Sequence, residues 1–315
     1  MKFRVLLLLL AALVLAPVAG WAATDHDFRT VDGRIRHYLL TVPTVGKAPL
    51  PLVVVLHGTY GDGEKMARHL GFEALAGRYG VVIAYPDAYR PAGARQTLRW
   101  NDGRGTLESS AAGIDDVAFM RALVDDIAGR VPLDRARVFV AGASNGGMMA
   151  YRIGCEAADL VAGIAPVIGA IPLPIAPDCR PSRPISVLAV NGMEDPIVPF
   201  AGGLVCAHVA RAFCERGEVI GAGASLARFA TAAGCRGWPA ERVEPPRVAD
   251  GTRIRRVDYQ GCAPGVRLRG LWIEGGGHAW PPLPSQIGKR RAGISTANLN
   301  TAEVILDFFL GPSAR

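Results

Sequence analysis

The chain has 315 residues, half of them hydrophobic and one fifth charged, with 38 Gly and 23 Pro. That balance excludes a disordered or collagen-like chain. The formal charge of +7 comes from 35 Lys and Arg against 28 Asp and Glu, spread along the chain with only short runs such as Lys289-Arg290-Arg291. A nucleic-acid-binding surface would gather its cations on one face or helix, so no nucleic-acid partner is expected.

Lys2 and Arg4 precede the apolar run from Val5 to Val18, and Gly20-Trp21-Ala22 supplies the small-x-small pattern of a signal-peptidase site. Residues 1–22 are therefore expected to be a secretory signal, the alternative being an uncleaved anchor. Its removal takes the formal charge from +7 to +5. No later apolar stretch reaches membrane-spanning length, so no membrane association is expected once the signal is gone. The expected compartment is the exterior or the periplasm. All six cysteines (155, 179, 206, 214, 235 and 262) follow the signal, and an even count in an exported protein suggests disulfides. Of the fifteen possible pairings, proximity favours Cys155–Cys179, Cys206–Cys214 and Cys235–Cys262. No C-x-x-C pair is present, and no metal is expected.

Residues 23–315 contain no repeat, low-complexity tract or linker, and read as one domain. Alternation from Phe28 to Val42 around Asp32-Gly33 predicts an antiparallel hairpin. The apolar runs Leu52–Leu56 and Val81–Tyr85 predict strands buried on both faces, with a helix over about Glu64–Arg78 between them. Helical spacing over Asp115–Ala128 leads to a strand at Arg137–Ala141 and a helix from Asn145. Strands then fall at Leu160–Pro166 and Ile185–Val190, a helix near Ala224–Ala233, a strand near Val266–Ile273 and a last helix over Thr301–Leu310. Such alternation predicts an α/β fold with a mostly parallel central sheet, an antiparallel N-terminal hairpin and helices on both faces. Chemistry in such sheets collects at the carboxyl ends of the strands.

Gly142-Ala143-Ser144-Asn145-Gly146 fits G-x-S-x-G at such a strand end, with a helix following, the context of a sharp turn that lifts a serine hydroxyl off the sheet. A serine needs a base, and the base an orienting acid, in the chain order Ser, acid, His. Only His208 and His278 follow Ser144. His278 fits the base, because it follows a strand and sits after Gly275-Gly276-Gly277, a loop flexible enough to bring imidazole to the hydroxyl; His208 lies in a Cys-bounded segment. Asp195, just beyond strand Ile185–Val190 and stiffened by Pro196 and Pro199, is the expected acid, ahead of Glu194, Asp159 and Asp178. The amides of Asn145 and Thr59 are the expected oxyanion donors, the second from the loop Leu56-His57-Gly58-Thr59. His57 itself reads as a core or supporting histidine. Asp115 and Asp116 read as helix-start residues, and Met148 and Met149 as core. Trp100 and Trp280 are candidates for a substrate pocket.

Leu56-His57-Gly58, Trp100-Asn101, Asp115-Asp116-Val117-Ala118-Phe119, Gly142–Met148 and Gly276–Pro281 together resemble polyhydroxybutyrate-depolymerase-type esterases, neighbours of the feruloyl and acetylxylan esterases of carbohydrate esterase family one. The resemblance implies a secreted serine esterase with an α/β-hydrolase fold and no cofactor, with Ser144, Asp195 and His278 as triad. It also supports the pairing Cys235–Cys262. Two departures are Thr59, where many members carry Cys, and a chain end soon after the last helix, which weakens the case for solid polyester. The segment Gly202–Gly223 reads as an insertion able to shape an acyl pocket. The expected substrate is an aryl or acyl ester of polysaccharide fragments or a short hydroxyalkanoate oligomer, handled by a monomer. A glycan-binding protein without catalysis, or a peptidase on the same fold, are the alternatives.

Overall fold

The computed structural model describes residues 23–30, 32–90, 98–106, 108–207, 216–285 and 287–312. The expected signal segment, His208 and Cys214 (with it the pairing Cys206–Cys214) lie outside the described residues.

The N-terminal hairpin pairs β1 (Thr24–Arg29) with β2 (Ile35–Thr41), Thr24 opposite Leu40 and Arg29 opposite Ile35. It starts before the predicted Phe28 because its first four residues are polar and break the apolar alternation. The apolar runs become β3 (Leu50–Leu56) and β4 (Val82–Pro86). Between them lie two helices rather than one, α1 (Gly63–Leu70) and α2 (Phe72–Tyr79). Gly71 separates them at φ +79°, a left-handed conformation that ends a helix. Asp62 caps α1 by accepting from the Lys65 N–H at 2.8 Å.

The chain continues through α3 (Glu108–Ala111), α4 (Asp116–Arg130), β5 (Leu133–Ala143), α5 (Asn145–Glu156), β6 (Gly163–Val167) and β7 (Ser186–Gly192). Then follow the small hairpin of β8 (Gly202–Leu204) and β9 (Glu218–Ile220), α6 (Ala222–Ala232), β10 (Ala240–Glu244), β11 (Arg253–Asp258), β12 (Leu268–Glu274), α7 (Lys289–Ala292) and α8 (Thr301–Leu310). β10 and β11 escaped sequence reading because their charged residues, among them Glu241, Arg242, Arg253, Arg255 and Arg256, leave neither an apolar run nor clean alternation.

Ten strands form one sheet in the order β1-β2-β4-β3-β5-β6-β7-β12-β11-β10. The six central strands, β4 to β12, are parallel, and the outer pairs are antiparallel. Alternate residues of the central strands feed two cores. Leu52, Val54, Val140 and Val187 pack with α4, α5 and α6 on one face. Val53, Val55, Phe139 and Val190 pack with α1, α2 and α8 on the other. Burial on both faces explains why these strands read as continuous apolar runs. The carboxyl ends of β3, β5, β7 and β12 lie along one edge of the sheet and carry the loops described next.

Cys155–Cys179 ties the end of α5 to the turn before β7, and Cys235–Cys262 ties the segment after α6 to the loop before β12. Among the described residues, no helix is long and apolar enough to cross a membrane.

Candidate active site

β5 ends in a turn whose tightness dictates its residues. Ser144 has φ +55° and ψ −114°, and its N–H donates to the Val167 carbonyl at 2.9 Å. That left-handed backbone is costly for a residue with a side chain and survives only where its surroundings enforce it. A Cβ on Gly146 would stand 2.5 Å from the Leu56 and His57 carbonyl oxygens, and one on Gly142 would run into the Gly146 carbonyl. Glycine on both sides therefore lets β3, β5 and α5 converge beneath the serine.

The hydroxyl meets a histidine from the far side of the sheet's edge. Ser144 Oγ lies 2.9 Å from His278 Nε2, and His278 Nδ1 lies 2.7 Å from Asp195 Oδ2. The Nδ1–H donates to the carboxylate, leaving Nε2 to accept from the serine hydroxyl. Asp195 Oδ1 accepts from the Ile197 and Val198 N–H groups at 2.8 and 2.9 Å, so both carboxylate oxygens are engaged. Asp195 and His278 are buried. Glu194 is exposed, and so are Asp159, paired with Arg121, and Asp178.

The histidine loop is held by close packing, which corrects the expectation of flexibility. The Gly277 N–H donates to Ile294 O at 2.8 Å, and the His278 N–H to Ala292 O at 2.5 Å. A Cβ on Gly277 would enter the Ala292 carbonyl, and one on Gly192 would enter the Gly276 and Gly277 carbonyls. These glycines let three backbone segments touch.

Thr59 and Ser144 line the same cavity of about 530 Å³. Gly61 N–H donates to Gly58 O at 3.0 Å, closing a turn in which Tyr60 takes φ +69°. Gly58 lies so close to the Ser144 turn that a Cβ there would be 3.1 Å from Ala143 O. Asn145 opens α5, where the first amides have no acceptor within the helix. His57 is fully buried; its Nδ1–H donates to Gly58 O at 2.9 Å and its Nε2 accepts from Ala88 N–H at 3.0 Å. Burial pushes its pKa down, so it is a neutral strut under the Thr59 loop.

Trp280 lines the cavity and packs edge-on against Phe72 at 6.3 Å. Trp100 does not reach it. Its indole is fully buried, stacked on Phe119 at 6.2 Å, with Nε1–H donating to His57 O at 2.9 Å. The pocket expectation for Trp100 is thus corrected: its one polar atom is spent on backbone in the core. Met149 and Met148 both pack in buried clusters as expected, and Met148 also lines the cavity wall. Asp115 caps α4, accepting from Ala118 N–H at 2.9 Å. Asp116 does more than start a helix: buried, it pairs with Arg36 at 2.9 Å and accepts from Asn101 N–H at 2.7 Å.

Sequence reading missed a buried polar frame beside Ser144. Asn145 Nδ2 donates to Asp102 Oδ2 at 2.7 Å and to Trp100 O at 3.1 Å, while Asn145 Oδ1 accepts from Trp100 N–H at 2.8 Å. Asp102 in turn holds Arg104, with Nη2 at 2.8 Å, and Arg104 reaches the cavity. The clustering of Asn101, Asp102 and Arg104 was the available signal, but nothing in it announces burial. Among the described residues, no group of three or more His, Cys, Asp or Glu is arranged to hold a metal ion.

A ten-stranded, mostly parallel sheet with a serine on a strained strand-to-helix turn defines an α/β-hydrolase fold. The acetyl xylan esterase of Aspergillus awamori shares that fold, with a TM-score of 0.56 and 15% identity over 82% of this chain and 95% of that one. The family model Esterase PHB depolymerase matches residues 36–170. The Nocardia uniformis subsp. tsuyamanensis protein named "Putative esterase NocK" is 32% identical over 94% of this chain and 85% of its own length. Feruloyl esterase B of Piromyces equi is 28% identical over 74% of this chain, which spans 40% of that longer protein. The chain belongs to the PHB-depolymerase-type esterase family and is a carboxylic-ester hydrolase.

Proposed function

We propose that the protein is an exported serine esterase that works through an acyl-enzyme, with Ser144 as nucleophile, His278 as general base and acid, and Asp195 as the residue that orients His278. The observation that carries this reading is the chain of contacts from Ser144 Oγ through His278 to Asp195, at 2.9 and 2.7 Å. Ser144 Oγ attacks the ester carbonyl carbon while His278 Nε2 takes its proton. The carbonyl oxygen becomes an oxyanion facing the Thr59 and Asn145 amides. As the intermediate collapses, His278 returns the proton to the departing alkoxide and the alcohol leaves. Water, deprotonated by the same nitrogen, then attacks the acyl-enzyme and frees the acid and the serine. Asp195 keeps Nδ1 protonated, so Nε2 is free to accept in each half.

The substrates are aryl or acyl esters of polysaccharide fragments or short hydroxyalkanoate oligomers, by analogy with the feruloyl and PHB-type relatives and with a cavity walled by Met148, Ile168, Ile197, Val205, Trp280 and Leu283. Val205 follows β8, within the segment expected to shape an acyl pocket. Export is supported by the N-terminal sequence and by two disulfides. The test treats the mature protein and Ser144→Ala with a fluorophosphonate probe and 4-nitrophenyl acetate. Labelling and turnover by the wild type alone are expected, and equal labelling of both, or no turnover by either, would overturn the reading. Methyl ferulate, acetylated xylan and hydroxybutyrate oligomers then rank the substrates.

A further inference from the structure

Apart from the Tyr60 phenol, the ionisable groups that line the cavity are basic. Besides His278, its lining includes Lys65, His69, Arg104 and Arg291, and among the described residues lining it there is no Asp or Glu. They come from separate stretches of chain: Lys65 and His69 from α1, Arg104 from the loop before α3, and Arg291 from α7. Carboxylates stand behind Lys65 and Arg104. Lys65 Nζ lies 3.0 Å from Asp62, the cap of α1, and buried Arg104 is gripped by Asp102. Those acids hold the cations in position but do not themselves line the cavity.

The segment after β12 tilts the balance further. From Gly275 through Ala302 there is no Asp or Glu, and the run Lys289-Arg290-Arg291 falls within it. Backbone bonds from Gly277 to Ile294 and from His278 to Ala292 fasten this run directly against the histidine loop. Lys289, Arg290 and Arg291 are exposed. Arg291, the last residue of this run, lines the cavity that Ser144 and His278 also line. Cations around a low-dielectric cleft raise the local concentration of anionic substrates and speed their capture.

We propose that the preferred substrate carries a carboxylate in addition to the scissile ester, and that Arg291 and Lys65, at the rim, recognise that carboxylate. The proposal rests on the esterase reading of Ser144 and adds the charge of the substrate to it. The carboxylate could belong to the acyl half, as at the end of a hydroxyacid oligomer, or to the alcohol half, as in a uronic acid residue of a saccharide. Both present the same anion to the same cations.

The test compares matched esters that differ only in that charge. For the acyl side these are 4-nitrophenyl hydrogen adipate and 4-nitrophenyl hexanoate; for the alcohol side, the acetyl esters of a methyl uronoside and of the corresponding neutral glycoside. At low ionic strength kcat/KM for the anionic member of at least one pair is expected to exceed that of the neutral member by about tenfold. The ratio should shrink as salt approaches 1 M, where charges are screened within about 3 Å. Arg291→Glu should lower the ratio more than Arg291→Gln, and Lys65→Gln should add to the effect. The pair showing the preference identifies which half bears the carboxylate. Anionic-to-neutral ratios at or below one in both pairs, or a ratio indifferent to Arg291→Glu, would overturn the proposal while leaving the esterase standing. Failure of the wild type to hydrolyse any of the four esters, together with no fluorophosphonate labelling, would overturn both.

Discussion

Asp195 shows how much a single side chain does in this site. Its Oδ2 faces His278 Nδ1 while its Oδ1 is held by two backbone amides. Asn in its place could keep the Oδ1 bonds, but its amide would meet the ring with a donor and favour the tautomer whose Nε2 is protonated. Asp195→Asn is therefore expected to lower kcat for a nitrophenyl ester by about 10⁴-fold, the scale on which such a tautomer error costs a triad, with a thermal midpoint close to wild type. A comparable loss of activity and folding together would point to a structural carboxylate. His57 gives a pH-dependent counterpart. Burial lowers its pKa, so it stays neutral in the folded protein, whereas in the unfolded chain it takes up a proton below about pH 6.5. The unfolded state then binds more protons, and stability falls as pH falls, by at most about 1.4 kcal/mol per pH unit from this group. Urea unfolding between pH 7.5 and 5 should show that decline, and His57→Gln should flatten it. An identical slope in the variant would remove His57 as its source.

At the scale of the element, the strand-to-helix turn at Ser144 depends on its glycines. Gly146→Ala would place a methyl group 2.5 Å from two carbonyl oxygens of β3 and its loop. Overpacking of this kind costs about 1–3 kcal/mol, and here the strain falls on the backbone at Ser144, so activity should drop with stability. Gly129, near the end of α4, is the matched control, because a Cβ there meets nothing within 4 Å. Gly129→Ala should leave activity intact and stabilise by roughly 0.5–1 kcal/mol, the helix-propensity difference. Denaturant midpoints and esterase rates of both variants check this; a Gly146→Ala protein as stable and active as wild type would contradict the packing argument. The elements bearing the site were legible because their signals are local. β3, the second half of β5 and the middle of β7 are apolar runs, and Ser144 and Gly275–His278 stand directly after strands. β10 and β11 were not legible: at the sheet's edge, charged side chains are solvated and no pattern marks the strand. Nor was the break at Gly71, since a glycine inside amphipathic spacing announces a helix end only once its φ is seen.

For the whole molecule, the disulfides close loops that the sheet alone does not. Cys235–Cys262 spans 27 residues and joins the end of α6 to the approach to β12, the strand that delivers His278. Loop-closure entropy predicts roughly 3–4 kcal/mol lost when a bridge of that span is removed. A Cys235→Ser, Cys262→Ser protein should therefore melt well below wild type while keeping its nitrophenyl-ester activity at 25 °C. An unchanged melting temperature would show that the surrounding contacts hold the loop without the bridge.

The sequence by itself determined the type of fold, the order of the central strands' companions along the chain, and the three residues that meet at the site, because each of these is written in a local pattern: apolar period, strand-turn-helix context, and position after a strand. The tertiary structure decided what those patterns cannot carry. It sent Trp100 into the core, buried Asp102, Arg104 and Asp116 as paired charges, and turned the three glycines before His278 from a flexible loop into a packing joint. It also set Arg291, remote in sequence from α1 and Arg104, beside the same cavity. Burial and charge neighbourhood depend on which segments the fold brings together, and that is information no window of the chain contains.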